Sequence, residues 1–138
     1  MSSNKYKVLV VQGLHEQGLE MLKQRSDIEF NVLLSDDENE ILEAAKDVNG
    51  ITVRTAQITE KIINSSKNLQ VISRHGVGYD SINLKSLNNK KIPLTIAAHS
   101  NMISVSEQAM FFLLALNKNI FYYDDFTRKG DWTNRWDV

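Results

Sequence analysis

Short apolar runs alternate with stretches of helical periodicity along the first hundred residues, and no other feature constrains the fold as tightly. Residues 8–11, 28–33, 51–53, 69–73 and 93–97 are brief and rich in Val, Ile and Leu, the pattern of strands. Between them, 16–24, 36–46, 60–64 and 84–88 carry helical spacing. Ser35 with Glu38 has the form of a capping box, a hydroxyl and a carboxylate that each satisfy a free backbone N–H, and Thr59 is placed to cap the next helix. Strands that alternate with helices imply right-handed βαβ units, hence an α/β fold with a parallel sheet and helices on both faces. Five strands in about a hundred residues suit the flavodoxin-like member of that class. Ligands in such sheets sit beyond the C-terminal strand ends near the switch point, so chemistry is sought there.

After Ala98 the pattern changes. Ser104-Val-Ser-Glu107 reads as a second capping box that opens the strongest helix, running to about Asn119. Met110-Phe-Phe-Leu-Leu-Ala-Leu116 is apolar all round, and a helix of that kind needs burial on more than one side. A further amphipathic piece spans 120–129 and stops at Gly130. Trp132 and Trp136 follow with nothing after them to cover two large rings, so the end of the chain reads as unfinished.

Composition excludes several classes. Sixteen basic residues against seventeen acidic ones give a net charge of −1, with no basic stripe of the kind nucleic acid requires. The chain has no cysteine, which removes disulfides, thiolate metal sites and cysteine nucleophiles. The longest apolar run, 109–116, is far below the ~20 residues that span a bilayer, and no signal-peptide pattern opens the chain. A soluble cytoplasmic protein with no metal site and no membrane partner is expected. The acidic run Asp36-Asp-Glu-Asn-Glu40 suits the dipole-favoured start of a helix.

The loop Arg74-His-Gly-Val-Gly-Tyr-Asp80 follows the fourth strand. Gly76 and Gly78 permit backbone conformations closed to other residues and clear side chains from a ligand's path. Successive N–H groups in such a turn can converge on an anion, with Arg74 adding positive potential and His75 a donor. A tight turn that needs glycine only for geometry explains the same residues. Arg54, at the C-terminal end of the third strand, has the forked donors that suit carboxylate or phosphate, and is equally consistent with a solvated strand end. Asn101 can reach a ligand at the same sheet edge or bond its own loop. His15 and His99 lack a serine or carboxylate partner at useful spacing. The segment 76–81 fails as a dinucleotide fingerprint: its third glycine is Ser81, and it follows the fourth strand rather than the first. Phosphoacceptor chemistry would need aspartates where Gln12-Gly-Leu and Arg54-Thr stand, and a flavin site would need a Ser/Thr-rich loop after the first strand.

Three ordered segments resemble the D-isomer-specific 2-hydroxyacid dehydrogenases: Val71-Ile-Ser-Arg-His-Gly-Val-Gly-Tyr-Asp-Ser-Ile-Asn83, Asn101-Met-Ile-Ser-Val-Ser-Glu-Gln108 and Arg128-Lys-Gly-Asp-Trp132. Leu14-His-Glu-Gln-Gly-Leu19 is similar to that family's first loop and helix. Ser106 and Gln108 stand where Ala and His are commoner, and Ser81-Ile-Asn83 where Asn-x-Asp is. The resemblance implies a flavodoxin-like substrate-binding domain over 1–100, then a crossover helix and the start of an NAD-binding domain over 101–138. It implies that the Val77 and Gly78 amides hold the carboxylate of a small 2-hydroxy or 2-keto acid, that Arg54 and Asn101 face it, and that Val77 and Val105 approach the nicotinamide of NAD(P). The family's cofactor fingerprint and catalytic Arg, Glu and His have no counterpart here, so no residue of this chain is assigned as catalytic. The expectation is a truncated portion of an oxidoreductase, inactive by itself, that forms a homodimer through 104–127. The alternative is a stand-alone module that binds small anions or mediates association without catalysis.

Overall fold

The computed structural model describes residues 5–133. Trp136 of the sequence reading lies outside them. Five strands, β1 (Tyr6–Val11), β2 (Ile28–Leu33), β3 (Gly50–Val53), β4 (Val71–Arg74) and β5 (Leu94–Ile96), form one sheet of order β2-β1-β3-β4-β5 with every pairing parallel. This is the expected α/β, flavodoxin-like arrangement. The chain leaves β1 for β2 on one side and returns to β3 on the other, so the switch point lies between the C-terminal ends of β1 and β3.

Alternation along the strands sorts the two faces. Leu9, Val11, Ile51, Val53 and Ile72 share one face, where they form a single buried core with Ile41 and Ala45 of the second helix, Ile62 and Ile63 of the third and Leu87 of the fourth. Those helices are α2 (Glu38–Ala44), with Ala45 at its C-cap, α3 (Glu60–Ser65) and α4 (Leu84–Lys90). On the other face α1 (Glu16–Lys23) buries none of its residues, and a cavity of about 310 Å³ separates Leu14, Gly18, Met21 and Leu22 from Val8, Thr52, Val71 and Ser73. Both faces carry helices, but the packing is heavily one-sided.

The cap assignments need correction. Asp37, not Ser35, caps α2: its carboxylate accepts from the N–H groups of Asn39 at 2.9 Å and Glu40 at 3.1 Å, while Ser35 Oγ accepts from Asp37 N. Glu38 turns away to accept from Thr59 Oγ1 at 2.6 Å, with Lys61 3.9 Å off. Thr59 holds the N-cap position of α3 but makes no side-chain cap bond. His15 caps α1 through Nδ1, which accepts from Gln17 N.

The chain divides into two compact units, Met1–Ser100 and Asn101–Val138. The second contains α5 (Met102–Asn117) and α6 (Ile120–Lys129). Helix α5 starts two residues before Ser104, so 104–107 is not a capping box; Ser106 Oγ bonds back to Met102 O. Of its residues Ala115 alone is buried, and Phe112, Leu114 and Leu116 are 55%, 53% and 82% exposed. Asn119 enters α6 in the left-handed region and Gly130 leaves it there, the expected stop. Trp132 is exposed. Among the described residues no helix is long and apolar enough to cross a membrane.

Candidate functional site

The ladder carries the loop after β4 into place. His75 N donates to Val53 O at 2.8 Å and Ala97 N to Gly76 O at 3.0 Å, so the chain stays tied to both neighbouring strands one and two residues past the end of β4. Gly76 then takes φ +153°, a region that residues with a side chain rarely adopt. The Arg74 guanidinium lies directly over it, where a Cβ would fall 2.0 Å from Nη1, and that nitrogen donates to the His75 carbonyl. Arg74 Nε is buried without an acceptor among the described residues.

Beyond Gly76 the backbone opens outward. Val77, Gly78, Tyr79 and Asp80 are exposed, and neither the Val77 nor the Gly78 N–H has an acceptor among the described residues. Gly78 is not at positive φ, and a Cβ there would meet Asp80 Oδ2 at an ordinary 3.6 Å. The expectation that both glycines serve backbone conformation therefore holds for Gly76 alone. At Gly78 the missing side chain leaves the approach to two adjacent donors clear.

The far end of the loop is anchored to the segment after β3. Ile58 N donates to Ser81 O at 2.8 Å and Asn83 N to Ile58 O at 3.0 Å, an isolated parallel bridge between the two connections. Thr55, Gln57, Arg74, Gly78, Asp80 and Ser81 line a cavity of about 290 Å³ between them. Arg54 directly precedes Thr55, is exposed, and forms no ion pair among the described residues. It does not line the cavity; Arg74, which the sequence reading used only as background charge, does. Asn101 stands at the N-cap of α5 without a side-chain cap bond, and Val105, 57% exposed, donates its N–H to Asn101 O at 2.9 Å. His75 and His99 are exposed, and no cluster of metal-binding side chains occurs among the described residues.

Gln12 escaped the sequence reading. It follows β1 at φ +67°, and its Oε1 accepts from Thr55 N at 2.6 Å and Ala56 N at 2.8 Å. The available signal was a carboxamide set immediately after Val8-Leu-Val-Val11 and before Gly13, at a switch-point strand end.

Residues 8–129 match the model of the family described as "D-isomer specific 2-hydroxyacid dehydrogenase, catalytic domain". The chain belongs to this family. It is similar to the D-3-phosphoglycerate dehydrogenase of Methanocaldococcus jannaschii, 32% identical over 130 residues that make up 94% of this chain and 24% of that protein. It is also similar to the glyoxylate reductase of Thermococcus onnurineus, 27% identical over 95% of this chain and 40% of that protein. The chain thus spans between about a quarter and two-fifths of these 2-hydroxyacid dehydrogenase relatives. Among solved structures, PH0520 protein from Pyrococcus horikoshii OT3 superposes with a TM-score of 0.79 at 29% identity, over 94% of this chain and 38% of that one. D-lactate dehydrogenase from Aquifex aeolicus, complexed with NAD and lactic acid, shares the fold with a TM-score of 0.75 at 22% identity, over 91% and 38%.

Proposed function

We propose that this chain is the substrate-binding portion of an NAD(P)-dependent D-2-hydroxyacid dehydrogenase, and that it seats the carboxylate of a small 2-hydroxy or 2-keto acid on the Val77 and Gly78 amides. One observation carries the reading: two adjacent exposed N–H groups without acceptors, in the loop at the C-terminal edge of the sheet. Unpaired donors of that kind bind an anion with little reorganisation, because no internal hydrogen bond has to break first. Arg54 at the switch point supplies a mobile, forked cation for the same ligand, and Asn101 is assigned to the substrate side. A crystal soaked with oxalate is expected to show density on Val77 N and Gly78 N first. Density elsewhere with those amides bare refutes the assignment.

The residues present suit one end of the cofactor. Val77, 38% exposed beside two open amides, offers an apolar face to a flat ring, and Val105 is assigned the same role. The pyrophosphate end has no matching cradle after β1, where the Gln12 carboxamide is already engaged by Thr55 and Ala56. When bound, NAD(P) supplies or accepts the hydride; this chain's residues orient the acid by its carboxylate. By itself the 138-residue chain then transfers no hydride.

Residues 1–100 act as the substrate domain and 101–138 as the crossover into the cofactor domain. The exposed apolar side chains of α5 make the 104–127 segment the contact through which the chain pairs with a second copy.

A further inference from the structure

We propose that Gln12 is a positioning residue for the anion site, holding the 54–56 backbone so that Arg54 and the Thr55 wall of the cavity face an incoming carboxylate. The inference rests on the reading of the Val77–Gly78 amides as that carboxylate's seat.

Val11 pairs with Val53, so Gln12 and Arg54 are the next residues out on adjacent strands, one on each side of the switch point. Gln12 sits in the left-handed region, which a residue with a Cβ occupies only when its surroundings insist. Its side chain accounts for the insistence. Besides the two N–H groups, Oε1 lies 3.2 Å from Thr55 Oγ1, and Nε2 lies 3.0 Å from the same hydroxyl. These bonds reach across 43 and 44 residues of chain and satisfy the donors of a turn that has no helix to satisfy them. Two residues further on, Ile58 grips Ser81 and Asn83. One carboxamide therefore links β1 to the wall carrying Thr55 and, through it, to the far anchor of the anion loop.

The amide's neutrality matters as much as its reach. A carboxylate at position 12 would accept the same two N–H groups but would set a negative charge on the residue next to Arg54 across the strand ends, where it competes with a bound anion for the guanidinium. Gln12→Glu thus separates local structure from ligand binding.

The test measures the dissociation constant for oxalate by NMR on the 138-residue chain, with thermal unfolding recorded in parallel. Q12E is expected to leave the unfolding midpoint unchanged while weakening oxalate roughly tenfold, as loss of one charge-assisted contact does. In an Arg54→Ala background the same change should matter less than about twofold, because no guanidinium remains to compete for. Q12A should shift the Thr55 and Ala56 amide resonances without ligand and weaken oxalate several-fold; if Q12A does not fold, Q12E carries the test. Wild-type binding matched by Q12E overturns the inference and leaves the loop assignment standing. So does a loss of affinity that merely tracks the midpoint, or one that persists in full in R54A. Failure of the wild-type chain to bind oxalate removes both.

Discussion

Replacing Gly76 with alanine tests how the loop after β4 is held where Arg74 lies over a glycine at positive φ. A side chain at φ +153° is strained by about 1–3 kcal/mol. The new Cβ would also stand 2.0 Å from Arg74 Nη1 and 2.8 Å from Cζ, and these are the mobile end of a long side chain. The guanidinium must swing away and give up its bond to the His75 carbonyl, which costs a further ~0.5–1.5 kcal/mol at an exposed site. Gly76→Ala is therefore expected to destabilise by about 1.5–4.5 kcal/mol, a large part of the ~5–15 kcal/mol that a domain of this size commands. Arg74→Ala alone removes only the hydrogen bond. The double variant loses the same bond once, so its cost should match that of Gly76→Ala and fall short of the sum by about 0.5–1.5 kcal/mol. Urea denaturation of the four proteins measures the cycle. Strict additivity, or a Gly76→Ala cost below about 0.5 kcal/mol, would refute the described placement of Arg74 over Gly76.

Three further outcomes are expected. Asp47 accepts from Lys7 Nζ at 2.6 Å and Asn68 Nδ2 at 2.8 Å, and these bonds hold its carboxyl below the usual 3.8. A depressed carboxyl stabilises above its unfolded pKa and loses that contribution as pH falls through the folded value, so the stability gap between wild type and Asp47→Asn should narrow below about pH 4. Paired Phe112→Lys and Leu116→Lys substitutions on α5 should shift the assembly towards monomer by light scattering and leave the circular dichroism of the sheet unit intact; a wild-type chain that stays a compact monomer at high concentration contradicts the pairing. On the proposed reading this chain offers the cofactor only a nicotinamide flank, so calorimetric titration with NAD should give no binding heat; micromolar affinity would overturn that view.

The sheet was legible because its signal is local: each strand's apolar run and each helix's spacing lie within a dozen residues, and right-handed βαβ crossovers leave few ways to arrange them. Cap assignments failed where several side chains compete. Ser35, Asp36 and Asp37 all precede α2 and Asp37 takes the cap, while Glu38, which a capping box would turn back on Ser35, instead accepts from Thr59, a partner 21 residues away. The motif at 104–107 satisfied a spacing rule inside a helix that had already begun at Met102. At the site, the loop after β4 could be found from Gly76-Val-Gly78, but the sequence does not say which glycine bends the chain and which clears a path. Gln12 was harder to single out for a different reason: a carboxamide before Gly13 marks the strand end, but the partners of its side chain, Thr55 and Ala56, lie 43 and 44 residues away.

The claim that the Val77 and Gly78 amides seat a carboxylate is tested most directly by titrating the ¹⁵N-labelled chain with oxalate and following every backbone amide. The account predicts saturable shifts largest at Val77 and Gly78, with smaller ones at Arg54 and Thr55. Saturable shifts centred elsewhere, with those two amides unmoved, would contradict it.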